Sequence, residues 1–190
     1  MIDFWEILGH TATDDAFRKT MYQTFAGKKP AQNPDGDNNF ACLFADADYD
    51  TVRGLVVAKM GPVSLMALGE WLVVSMLHPD SQPLLDNLGG TTQHLLAGYT
   101  STNPLFYQTL GAAMVDSSFR DQFNANNEKA YGFNLPAADR TTLAKVIGDN
   151  TFAAQAGIFH DSTWDDSCKD MCIQWPVHPY AHALENPFQQ

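Results

Sequence analysis

Positive charge is scarce in this chain. Its 190 residues carry 11 basic side chains against 22 acidic ones, a formal net charge of −11. A surface of that balance repels phosphate, which argues against nucleic acid or an anionic membrane as a partner. Cysteine is also scarce. Three residues, an odd number, imply no disulfide framework, and Cys42 stands alone as a small hydrophobe. The N-terminus, Met1-Ile2-Asp3-Phe4-Trp5-Glu6, has no basic n-region and places acids where an apolar segment would begin, so no secretory signal is read there. The longest apolar run, Leu55 to Leu77, is interrupted by Lys59, Gly61, Pro62 and Glu70. It reads as a buried helix starting near Pro62 rather than a membrane span. These absences together predict a cytoplasmic protein. No G-x-S-x-G, P-loop, G-x-G-x-x-G or H-E-x-x-H occurs, so no catalytic residue is assigned from sequence. His10, His78, His94 and His160 are scattered and read as packed or surface residues.

What is present is a folding composition, 45% hydrophobic and 12% aromatic, and an internal duplication. Phe4, Leu8, Gly9, Asp14, Phe17 and Arg18 recur as Phe106, Leu110, Gly111, Asp116, Phe119 and Arg120, every pair at one offset and without a gap. The shared pattern is F-x3-L-G-x4-D-x2-F-R. Phe4 and Leu8 share a helix face, as do Phe106 and Leu110. Asp3 and Glu6 form a capping box in the first copy; Asn103 caps the second, with Pro104 at its first helical position. Gly9 and Gly111 suit a helix end or a close helix contact. Asp14 and Asp116 sit where a second helix begins, and Phe17 with Met21, or Phe119 with Phe123, supplies its buried stripe. Arg18 and Arg120 read as surface or intra-unit ion-pair residues.

Further along, Tyr131-Gly132 reads as a helix stop, and Pro136 to Ile147 as a third helix closed by Gly148. The first copy has a polar loop there, roughly Gly27 to Asp46, then a weaker helix near Tyr49 to Lys59. After the apolar helix from Pro62 to Leu77, Pro79, Pro83, Gly89-Gly90 and Gly98 predict short broken pieces. The expectation is an all-α fold of about eight helices. It divides into a first unit with an acidic loop (1–60), a central apolar helix and linker (61–102), a second unit (103–150) and a Cys/His/Trp-rich tail (151–190).

The repeated unit, with the Tyr-Gly break and the Leu-Pro helix start that follow its second copy, resembles a small helical domain shared by two groups. One is the LigA-like small subunit of extradiol aromatic-ring dioxygenases. The other is the leader domain of ribosomally made, modified peptide precursors, the Nif11-like leaders and borosin precursors among them. The resemblance covers Pro104 to Ile147 best, with a shorter trace over Phe4 to Met21. The precursor resemblance implies a non-catalytic scaffold gripped by a modifying enzyme. Its tail from Phe159 onward would be the segment acted on, with Trp164, Cys168, Cys172 and Trp175 as the modified side chains. Two units in one chain depart from that pattern. The dioxygenase resemblance implies an accessory subunit beside a catalytic subunit that holds the iron. A structural subunit of a larger assembly is a third reading, and self-association is compatible with all three.

Two clusters carry metal-ligand residue types. Ser162 reads as the cap of a helix bearing Trp164, Cys168, Met171, Cys172 and Trp175 on one face, which is also how a core stripe reads. Cys168 and Cys172, four apart, with His178 and His182, four apart, make a Cys2His2 set for zinc or copper. The connection between the pairs is shorter than a zinc finger's. Asp35, Asp37, Asn39 and Asp46 occupy positions 1, 3, 5 and 12 of a calcium-loop template, with Phe40 where the turn needs glycine. Asp46, Asp48 and Asp50 make a second incomplete start.

Overall fold

The computed structural model describes residues 4–25, 46–63, 67–68, 71, 75, 81–125 and 135–165. Over these residues the protein is all-α. The helices in chain order are α1 (Phe4–Thr13), α2 (Asp15–Phe25), α3 (Asp46–Met60), α4 (Ser81–Leu96), α5 (Pro104–Val115), α6 (Ser117–Ala125), α7 (Ala137–Ile147) and α8 (Asn150–Phe159), and a π-helical turn, His160–Asp165, continues α8. None of the described helices is long and apolar enough to cross a membrane.

The helix limits follow from local chemistry. Asn103 has extended backbone and its side chain accepts from the Leu105 N–H at 3.1 Å, while Pro104 fills a position where no N–H is needed. Asp14 is the single residue between α1 and α2, and Asp116 the single residue between α5 and α6. Each carboxylate accepts the N–H three residues on, Phe17 at 2.9 Å and Phe119 at 3.0 Å. Asp149 caps α8 through the Thr151 and Phe152 N–H groups. At the end of α4, Ala97 and Gly98 both take left-handed backbone (φ 51° and 83°), and the chain turns sharply into Tyr99.

Three expectations change here. Pro83, Gly89 and Gly90 do not break the chain: all three lie inside α4, a continuous 16-residue helix. Pro83 sits in the first turn, where its missing N–H goes unused. The glycines lose some helix propensity, but Gly89 leaves room for a side chain arriving from α2. Ser162 does not cap a new helix, because it lies inside the π-helical turn. Residues 151–159, grouped with the tail by composition, belong to α8, and its Phe152, Ala156 and Phe159 are buried in the core.

The core is one cluster fed by every described helix. Ile7, Leu8, Met21, Val52, Leu88, Phe106, Phe123, Leu143 and Phe159 are among its fully enclosed side chains. Of the apolar segment expected from Pro62 to Leu77, Ala67, Leu68 and Trp71 are helical and buried within that core, and Val63 and Ser75 are buried as well; apart from these and Pro62, the segment lies outside the described residues. Burial at about 25 cal/mol per Å2 of apolar surface drives this assembly. The broadest helix contact is between α1 and α5, the first helices of the two repeats.

Candidate functional site

The two repeats meet face to face. Trp5 and Tyr107, Gly9 and Gly111, and Glu6 and Gln108 are equivalent positions, 102 residues apart. A methyl group on Gly9 would overlap the backbone carbonyl of Tyr107. A methyl on Gly111 would overlap the backbone carbonyl of Trp5. The contact is therefore reciprocal, as in an isologous dimer interface, but within one chain. Gln108 Nε2 donates to Glu6 Oε2 at 3.4 Å across the centre of this crossing. Of the two uses open to Gly9 and Gly111, the structure shows the close contact; both lie inside their helices.

The D-x2-F-R part of the repeat builds a corner. Arg18 Nη1 donates to the Thr11 carbonyl at 2.7 Å, and Arg120 Nη1 to the Ala113 carbonyl at 2.7 Å. Each arginine satisfies a carbonyl that the last turn of the preceding helix leaves without an intrahelical donor. Both side chains are buried, so their placement at the surface is corrected. Arg18 completes its shell with Asp86 (Nε, 2.7 Å) and Asp15 (Nη2, 2.5 Å), and its guanidinium fills the space over Gly89. Ion pairing thus joins α2 to α4 as well as acting inside the unit.

A cluster of titratable groups lies beside the seam. The imidazole of His10 stacks on Tyr107, with ring centroids 3.7 Å apart and planes at 16°. Next to it Lys59 Nζ, at the end of α3, pairs with Asp14 at 2.5 Å. Burial and the Lys59 ammonium push the His10 imidazole down to about 4, against a weaker opposing pull from Asp14. Burial also raises the Asp14 carboxyl, but its bonds from Lys59 and the Phe17 N–H outweigh this and hold it below the usual range. The Tyr107 hydroxyl donates to the Ser101 carbonyl at 2.8 Å. Asp139, 2% exposed in the first turn of α7, accepts from the Tyr99 hydroxyl at 2.6 Å and the Ser101 hydroxyl at 2.9 Å. That bond to the carboxylate keeps the Tyr99 phenol above its ordinary value. The bonds among Tyr99, Ser101, Tyr107 and Asp139 tie the segment after α4 to α5 and α7. Neutral His10 packs as an aromatic plate over the seam.

Sequence reasoning placed Asp14 as a cap and left His10 as a packed or surface residue; the structure shows it packed on Tyr107. The sequence had no signal for the roles of Lys59 and Ser101 and offered Asp139 only as the acid of a Leu-Pro-x-x-Asp helix start, since the Lys59–Asp14, Tyr99–Asp139 and Ser101–Asp139 pairs form across tertiary contacts. Among the sequence-predicted ligands, Asp46 opens α3. Asp46, Asp48 and Asp50 all lie inside that helix, which replaces the loop a second calcium site would need. Asp35, Asp37 and Asn39 lie outside the described residues, as do Cys42, His78, Cys168, Cys172, Trp175, His178 and His182, the polar loop and the Tyr131-Gly132 stop. Asp3 does too, and its proposed partner Glu6 is buried at the seam. Trp164 falls in the π-helical turn. Among the described residues no three His, Cys, Asp or Glu side chains converge as a metal-binding group.

No family model, curated protein or solved structure matches this chain.

Proposed function

We propose that the chain is a non-catalytic recognition scaffold. It resembles the leader domain of a modified-peptide precursor, with the Cys/His/Trp-rich segment after α8 as the part acted on by a modifying enzyme. One observation carries this reading: the repeated motif is used for architecture. Phe4, Leu8, Phe106, Leu110 and Phe119 are core residues, and Phe17 packs against that core. Gly9 and Gly111 set the helix crossing, Asp14 and Asp116 cap helices, and Arg18 and Arg120 close the corners. A motif spent this way describes a block that holds and presents. The side chains with the richest chemistry, Trp164, Cys168, Cys172 and Trp175, gather toward and beyond the end of that block. Fusing two units supplies internally the partner face that a single unit would otherwise seek in a second copy.

Intact mass of the protein purified from its native host, under denaturing and native conditions, tests the proposal. A denatured mass that departs from the sequence mass, with the change mapping to Trp164 through His182, supports it. Extra mass seen only in the native spectrum points to zinc or copper held by Cys168, Cys172, His178 and His182. An unmodified chain that copurifies in fixed ratio with a larger oxygenase subunit overturns it in favour of an accessory subunit.

A further inference from the structure

The two corner arginines are held alike at one end of the guanidinium and differently at the other. In the first repeat Nη1 of Arg18 binds the Thr11 carbonyl, while Nε and Nη2 hold the carboxylates of Asp86 and Asp15. In the second repeat Nη1 of Arg120 binds the equivalent carbonyl, that of Ala113. Ser117 stands where Asp15 stands in the first copy, and Asp121 stands where Lys19 does. Among the described residues no carboxylate lies within ion-pair reach of Arg120, and neither its Nε nor its Nη2 meets an acceptor. The residue is only 8% exposed, yet neither nitrogen is sealed from solvent. Asp161, whose field reaches Arg120, is 79% exposed at its side chain, and its Oδ1 contacts His160 Nδ1 at 3.1 Å.

A buried guanidinium costs free energy until its donors are met. Burial accordingly lowers the Arg120 guanidinium from its usual value, and Asp116, Asp121 and Asp161 oppose that only through space. The Nε–H and one Nη2–H of an arginine point in parallel, which matches the two oxygens of one carboxylate. We propose that the Nε/Nη2 edge of Arg120 is a binding site for a single carboxylate group, the place that Asp15 and Asp86 fill on Arg18. The three surrounding acids select for low charge. A singly charged carboxylate enters against less repulsion than a phosphate dianion does.

The arginine side-chain resonances of the full-length 15N-labelled protein give the test. Sodium acetate is titrated in at constant ionic strength, with chloride as the balancing salt. The Arg120 Nε–H resonance, identified by its loss in Arg120→Lys, shifts and saturates, while that of Arg18 stays still. Ser117→Asp restores the acid of the first repeat, next to Asp116 as Asp15 is next to Asp14. It abolishes the saturable shift and raises the melting temperature. If Arg120→Lys does not fold, this gain of a carboxylate by itself identifies the resonance that loses its response. An Arg120 resonance that drifts linearly with acetate alongside that of exposed Arg53 overturns the proposal, as does a saturable response that survives in Ser117→Asp. Saturation by inorganic phosphate at the same ionic strength overturns the preference for a carboxylate.

Discussion

Gly9 lies against the backbone carbonyl of Tyr107 with no room for a β-carbon, and 102 residues on Gly111 stands in the same relation to Trp5. Close approach of two helix backbones at these points lets α1 and α5 form the seam of the molecule.

Gly9→Ala and Gly111→Ala are therefore expected to destabilise by about 3 kcal/mol or more each, because the clash is with backbone and cannot be relieved by a rotamer change. Gly90→Ala, in a helix with open space around it, is expected to stabilise by about 0.5–1 kcal/mol. Urea unfolding of the three variants decides it. Equal effects at Gly9 and Gly90 would mean that the seam is looser than described.

Arg18 and Arg120 are expected to differ in the same assay. Arg18→Met removes one carbonyl bond and two ion pairs, whereas Arg120→Met removes one carbonyl bond and an undercompensated buried charge. The first is expected to cost about 2–4 kcal/mol and the second about 1 kcal/mol or less. The reverse order would contradict the partner assignment.

Acid destabilisation is expected to start early because of His10. Its folded value of about 4 lies below its ordinary 6.5, so the unfolded chain takes up the proton first. Stability from keeping His10 neutral is complete above pH 6.5, falls as pH drops toward 4, and then levels, with a total of up to about 3 kcal/mol. The Asp14 and Asp15 carboxyls, both held low, lose their contributions only below their usual value of 3.8. Unfolding free energies measured from pH 7 to pH 4 should fall more steeply for the natural chain than for His10→Phe, which keeps the stack on Tyr107. Parallel curves would show that His10 is not the group responsible.

Asp139→Ala is expected to cost about 2–3 kcal/mol, since it leaves the Tyr99 and Ser101 hydroxyls without an acceptor. Asp139→Asn, which keeps one acceptor oxygen, is expected to recover part of this. Thermal melts of the two variants with Tyr99→Phe complete a cycle. Strictly additive losses would show that Tyr99 and Asp139 do not act together.

The helices from Pro104 to Ile147 were legible in sequence because their ends carry their own chemistry: Asn103-Pro104, Asp116, Pro136 and Gly148 each act within a turn of where they stand. Helix α4 was not legible. Its proline and glycines read as breakers until the position of Pro83 in the first turn and the guanidinium over Gly89 are known. Asp139 escaped for a related reason: its partners Tyr99 and Ser101 are remote in sequence.

By itself the sequence determined that this chain is helical, acidic and built on a duplicated F-x3-L-G-x4-D-x2-F-R unit, because periodicity, caps and identities at one offset are local properties of the chain. Only the tertiary structure decided that Gly9 and Gly111 are crossing points rather than helix ends. It also decided that the two arginines are buried clasps, and that among the described residues Arg120 meets no carboxylate like those Arg18 keeps. Those outcomes depend on which backbone, side chain or charge arrives from a distant part of the chain. No local pattern records that arrival.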